Sequence, residues 1–131
     1  MATADALIGL GMPAELAIRL GFQPVSVTTT AATQGSAGGL LQGYGNKMVA
    51  ATFASAGHAV TLPDEAEIGD EIIINNVSAN AGIIFPPSGG NLNGETADAS
   101  MAIAAQGSSG CVQRAMKVSA TRWAVWAVTV S

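Results

Sequence analysis

The side chains able to do chemistry in this chain are few and scattered. There is one histidine, His58, and one cysteine, Cys111; five of the nine acids fall close together at Asp64, Glu65, Glu67, Asp70 and Glu71. His58 stands among small residues, and no nucleophile-elbow motif accompanies it to build a hydrolytic triad. A glycosidase pair needs one carboxyl in an apolar pocket to raise its pKa, whereas these acids share one polar corner. Their spacing also lacks the alternate ligands, central Gly and closing Glu of a calcium loop. Cys111 has no second cysteine for a disulfide or a thiolate metal site, and reads as a small apolar strand residue. Gly43-x-Gly45 lacks the third glycine of a dinucleotide fingerprint. The reading is therefore of a protein that is not an enzyme, with no catalytic residues, cofactor or metal.

What must position these groups is a series of short β-branched runs broken by Asn, Gly and Pro at intervals of about ten residues, the pattern of a small antiparallel β domain. Strands are predicted over 48–54, 59–62, 68–76, 83–85, 100–104, 111–118 and 122–130. Residues 78–82 read as a hairpin turn between the third and fourth of these, and Asn93-Gly94 as a loop tip. The last strand is apolar on both faces: Trp123, Val125, Ala127 and Thr129 alternate with Ala124, Trp126, Val128 and Val130. One face meets its own core. The other meets either a second sheet of the same subunit or a neighbouring subunit.

Ahead of the β region, residues 3–21 read as two short helical turns in tandem. Thr3 suits an N-cap, Pro13 a first helical position, and Gly11 and Gly21 the left-handed residue that ends each turn. Helices this short are unstable alone in water. The apolar residues Leu7, Ile8, Leu10, Met12, Leu16, Ile18 and Leu20 either cap the core as a helical hairpin or dock on a partner. Residues 22–47 follow as an extended arm and a Gly/Ser-rich linker. Val25 and Val27 in the arm add to a neighbour's sheet edge or lie in an ordinary connection of their own subunit. The expected division is thus a docking hairpin over 1–21, an arm and linker over 22–47 and a β domain over 48–131.

Composition bounds the function. The chain of 131 residues is one domain's worth. Only 11 % of residues are charged, 49 % are hydrophobic and the mean hydropathy is +0.39, against about 25 % charged in typical soluble domains. So little charge leaves much of the surface to be covered by another molecule, and oligomerisation is the plain explanation. No run approaches the roughly 18–20 apolar residues of a membrane-spanning helix. The first residues, with Asp5 and no Lys or Arg before the apolar positions, do not read as a secretory signal. A net charge of −4 and a pI near 4.6 argue against a sequence-independent nucleic-acid binder. Three of the five bases, Arg114, Lys117 and Arg122, lie far in sequence from the acidic corner. The two sets either pair between neighbours or form solvated faces.

In order along the chain come Leu62-Pro63, Gly69-Asp70, a strand ending in Asn75-Asn76, Ile83 to Phe85 with Pro86, Gly89-Gly90, Leu92-Asn93-Gly94, Ser100 with Ile103, Gly107, and Val118-Ser119-Ala120-Thr121-Arg122-Trp123. This series resembles a small β module of tailed-bacteriophage structural proteins, found in head decoration proteins, head fibres and some tail fibres. It covers about half the chain. Leu10-Gly11-Met12-Pro13-Ala14-Glu15-Leu16-Ala17 also looks like the N-terminal segment of such proteins. The sequence departs from the pattern at Gly110-Cys111, where a larger apolar pair is expected.

The resemblance implies a trimeric, β-rich virion component on the capsid surface, a decoration or cement protein that binds the major capsid protein. The fold expected is a small antiparallel β-sandwich or barrel-like domain behind the helical hairpin and arm. Leu7, Ile8, Leu10, Met12, Leu16, Ile18 and Leu20 are the candidate docking residues, and Val25, Val27, Trp123, Trp126, Val128 and Val130 the candidate subunit interface. The alternative is a short head or tail fibre that binds host carbohydrate, which calls for an exposed aromatic ring. Both tryptophans fall in a strand that reads as buried, so the alternative is the weaker.

Overall fold

A computed structural model describes residues 21–128. Nine strands run in order: β1 Phe22–Thr29, β2 Asn46–Phe53, β3 Ala59–Thr61, β4 Glu71–Asn76, β5 Gly82–Phe85, β6 Asn91–Leu92, β7 Met101–Ile103, β8 Val112–Lys117 and β9 Arg122–Ala127. They make a six-stranded sheet in the order β1-β2-β4-β8-β9-β6 and a three-stranded sheet in the order β3-β5-β7. The fold is mainly β with two sheets, as the spacing of turn residues predicts. No helix among the described residues is long and apolar enough to cross a membrane.

The pairing departs from the antiparallel expectation. β1 with β2, β2 with β4, β3 with β5 and β6 with β9 are parallel; only β4–β8, β8–β9 and β5–β7 are antiparallel. The reason is that the chain changes sheet at most corners instead of folding back. From β2 it passes to β3 in the small sheet, to β4 in the large one, to β5 in the small one. Each circuit brings it beside its own previous turn. Phe22 pairs with Asn46, 24 residues on, Ala59 with Ile83, again 24, and Lys47 with Ile72, 25 on. A bridge from Leu40 to Thr61 continues the stack in the small sheet. Coils stacked in this way bury a continuous core that no single coil could bury alone.

The expected hairpin over 78–82 is therefore a corner. Asn76, fully buried, holds it: its Nδ2 donates to the carbonyls of Asn80 (2.7 Å) and Ala104 (2.9 Å), and its Oδ1 accepts from the Ser78 amide and hydroxyl. These bonds satisfy the backbone groups that a change of sheet leaves without a ladder partner. A polar stretch flanked by apolar runs looks the same in sequence whether it reverses the chain or carries it to another sheet.

The core lies between the sheets. Val49, Ala51 and Phe53 of β2, Ile72 and Ile74 of β4, Ala115 of β8, and Trp123 and Val125 of β9 face Val60, Leu62, Ile84 and Ile103 from the small-sheet side. On β2 the alternation is regular, with every second residue buried, as a half-buried strand requires. Residues 22–29, read as an arm, form the edge strand of this chain's own large sheet, and 37–39 make a short 3-10 turn. That turn is packed down tightly, since a β-carbon on Gly39 would meet the Ala59 carbonyl oxygen at 2.1 Å. Asn93 and Gly94 both adopt positive φ, 55° and 79°, and the Glu95 amide donates to the Leu92 carbonyl. This is the geometry for which Asn-Gly is selected in tight turns. The predicted helical hairpin, with Leu7, Ile8, Leu10, Met12, Leu16, Ile18 and Leu20, lies outside the described residues, as does Val130.

Candidate interaction surface

The groups that could do chemistry are separated and occupied in holding loops. His58 Nδ1 sits 3.0 Å from the Thr29 carbonyl and 3.3 Å from the Ser55 amide, pinning the turn after β2 to the end of β1. It donates to the first when protonated at that nitrogen and accepts from the second when not. The Asp70 carboxylate is buried and accepts from the amides of Gly45 (2.7 Å) and Glu67 (2.8 Å). Lys47 points inward from β2, 3 % exposed, and donates to the carbonyls of Gly43 and Tyr44. Burial lowers its pKa, against the opposing pull of the Asp70 and Glu65 charges. Cys111 is buried. No three His, Cys, Asp or Glu side chains among the described residues are grouped so as to hold a metal ion.

A second polar knot ties the loops beside β6. Asp98 Oδ1 accepts from Gln34 Nε2 (3.0 Å) and from the Gly89 amide (2.7 Å), and Gln34 Nε2 also donates to the Pro86 carbonyl. The Gln34 and Gly89 hydrogen bonds hold the Asp98 carboxyl below its ordinary pKa. The acidic and basic segments, far apart in sequence, meet within one chain. Arg114 pairs with Glu71 across β4 and β8, and Lys117 Nζ donates to the Ala66 carbonyl (2.7 Å).

What remains unexplained by internal structure is the outer face of the large sheet. The strand register places Pro24, Met48, Ile73, Arg114 and Trp126 in one row across five strands. Met116 and Ala124 on one side of it, and Ala50 and Val112 on the other, extend the apolar area. Its one ion pair among the described residues is Arg114 with Glu71, and the Arg114 guanidinium also lies over the Trp126 ring, 5.4 Å from its centroid. Trp126 is 41 % exposed. Near the end where β4 and β8 meet, Ile68 (67 %) and Val118 (45 %) are exposed, brought together by the Gly69 amide donating to the Lys117 carbonyl. A wide, nearly uncharged sheet face with an exposed indole has the composition of a contact surface.

The candidate interface residues are thereby divided. Trp123 is 1 % exposed in the core, and Val25 and Val27 pack half-buried against that core. Trp126 is on the outer face, and Val128 extends β9 with its amide bonded to the Val112 carbonyl. Sequence reasoning missed Met48, Ile73 and Met116 as members of this face. Their signal was present as apolar residues on the second face of strands already apolar on the first. No protein-family model, curated protein or solved structure matches the chain.

Proposed function

We propose that this protein is a structural component of a tailed-bacteriophage virion: a capsid decoration protein that binds the major capsid protein as a homo-oligomer, a trimer by the resemblance of its β module. The single observation that carries an assembly role is the outer face of the large sheet, where Met48, Met116 and Trp126 offer apolar area around the buried Ile73, and where Arg114 with Glu71 is the one ion pair among the described residues. The ordered series of turn residues ending in Thr-x-Trp supports the virion setting. The mechanism is mechanical. Apolar area buried between subunits and capsomers contributes roughly 25 cal/mol per Å², and a subunit that bridges two capsomers raises the cost of separating them.

Light scattering on the purified protein, followed by co-sedimentation with expanded capsids that lack it, tests the reading. A trimer that sediments with capsids and raises their melting temperature is the expected result. A monomer that stays in the supernatant would overturn it. One observation favours the second reading, a fibre that binds carbohydrate: Trp126 exposes its ring, as a sugar platform must. One approach to that ring is taken by Arg114, so decoration remains the preferred reading. Binding to a glycan array, abolished by Trp126→Ser, would reverse that preference.

A further inference from the structure

The turn after β6 contains the one Asn-Gly pair in the sequence, Asn93-Gly94, and the fold uses both residues. Each carries a positive φ, which Asn and Gly adopt most readily. The Asn93 side chain also extends the sheet. β6 ends at Leu92, in register with Trp123, and the Asn93 amide still donates to the Trp123 carbonyl (2.8 Å). Beyond that point the side chain takes over from the backbone: Nδ2 donates to the Val125 carbonyl (2.9 Å) and Oδ1 accepts from the Val125 amide (2.8 Å). Asn-Gly is at the same time the dipeptide most prone to lose its side-chain amide, because glycine has no β-carbon to hinder its own nitrogen. The Gly94 nitrogen gives up its proton and bonds to Asn93 Cγ, the Nδ2 group takes that proton and leaves as ammonia, and a succinimide ring remains. Water then opens the ring at one of its two carbonyls, leaving aspartate or isoaspartate.

We propose that Asn93 is a deamidation site that the fold keeps closed, with Asn91 as its guard. Hydrogen bonds hold the two reacting groups apart. The nucleophile, the Gly94 amide, donates to Asn91 Oδ1 (3.0 Å), and an amide committed to that bond holds its proton more firmly. The electrophile, the Asn93 carboxamide, is held at both ends by the Val125 backbone, which stops the rotation that would bring Cγ to the Gly94 nitrogen. Neither hold depends on burial: Asn93 and Gly94 are exposed, so water, the other reactant, is always at hand. Reaction therefore waits on opening of the β6 edge, and its rate follows the fraction of molecules open there. The product does not restore the edge. An aspartate at this position has no donor for the Val125 carbonyl and sets a charged oxygen against it. Isoaspartate inserts a methylene into the main chain one residue after Leu92, which is 2 % exposed and in register with Trp123. Each opening that leads to reaction thus leaves a permanent mark at one edge of the large sheet.

The test incubates the full chain at mildly alkaline pH and follows conversion of Asn93 by peptide mapping with mass spectrometry, with enzymatic methylation of isoaspartate as a second readout. Folded wild type is expected to convert at least about tenfold more slowly than the same chain unfolded in guanidinium chloride, because reaction must wait for local opening. Asn91→Ala removes the acceptor but keeps the residue 91 amide that donates to the Thr121 carbonyl. It is expected to raise the folded rate about fivefold, the worth of one hydrogen bond. Asn91→Asp keeps an acceptor at the same place and is expected to stay near the wild-type rate. Hydrogen exchange at the Val125 amide separates a guard from a merely structural residue: it is expected to be unchanged in Asn91→Ala. Exchange that quickens in step with conversion would overturn the proposal, since Asn91 would then only hold the edge shut. So would folded wild type that converts as fast as the unfolded chain, or an Asn91→Ala rate equal to that of wild type.

Discussion

Gly82 and Phe53 compete for the same space: a β-carbon on Gly82 would stand 2.3 Å from Cε1 of Phe53, and the Phe53 ring is 1 % exposed in the core. The first residue of β5 is thus a glycine because the ring of β2 lies directly against its backbone. Gly82→Ala is expected to destabilise the protein by about 1–3 kcal/mol through overpacking. Combining it with Phe53→Leu should cost less than the sum of the two single changes, since the smaller side chain vacates the contested volume. Urea denaturation of the four proteins checks both statements. Additive losses would mean that the two residues do not share this space.

Asn76 is the polar centre of the corner between the sheets, with its side chain fully engaged. Asn76→Ala leaves the carbonyls of Asn80 and Ala104 and the amide of Ser78 without that partner. The expected loss is about 2–4 kcal/mol, because buried polar groups deprived of partners cost more than the bonds themselves contributed. The midpoint of chemical unfolding measures it.

Lys47 makes stability depend on alkaline pH. Its pKa in the folded chain is below the ordinary 10.5, chiefly because burial disfavours the charged form. Between the lowered value and 10.5 the unfolded chain binds the extra proton, so this residue's contribution to stability rises with pH across that window and is flat outside it. The difference in unfolding free energy between the wild type and Lys47→Met, followed from pH 7 upward, should show this rise.

Asp98 acts at the opposite end of the scale. Its carboxyl is held below 3.8 by Gln34 and the Gly89 amide, so its contribution is present above 3.8 and is lost as pH falls through the lowered pKa. The group is exposed, and the effect is local to the loops it joins. Its own titration, followed by NMR of the side-chain carboxyl, should move toward 3.8 in Gln34→Ala.

The two tryptophans, three residues apart, separate stability from assembly. Trp123→Ala should cost about 3–5 kcal/mol, as for other large core truncations. Trp126→Ser should change the stability of the isolated subunit by less than about 1 kcal/mol while weakening its self-association. Unfolding curves and sedimentation of both variants decide. Loss of stability without loss of mass in Trp126→Ser would remove the outer face from the assembly interface.

The strands were legible because their signal is local: β-branched runs, Asn-Gly at residues 93 and 94, and Pro86 after Phe85 mark their bounds within a few positions. Their partners were not. The stretch Asn76-Val77-Ser78-Ala79-Asn80 has the residues of a hairpin turn, and only the tertiary bonds of Asn76 reveal that it carries the chain to the other sheet. For the same reason Phe22–Thr29 read as an arm, since its partner β2 lies 24 residues on and leaves no periodic trace in so short a chain. Trp126 was placed on the second face of its strand but read as buried, whereas it is 41 % exposed because no second sheet covers that face among the described residues. The rest of that face became visible only when the register aligned Met48, Ile73 and Arg114 with it.

The circuit of 24 or 25 residues also sets how the chain must fold. The parallel pairs β1–β2, β2–β4 and β3–β5 each require closure of a loop of that length before any ladder bond can form, and loop closure is an entropic barrier that is met before the contacts compensate for it. β8 and β9, joined by only four residues, escape that barrier and can form within microseconds as a hairpin. A chain emerging N-terminus first from the ribosome has β1 outside before its partner β2, and the β8–β9 hairpin only after nearly all of the chain has been made.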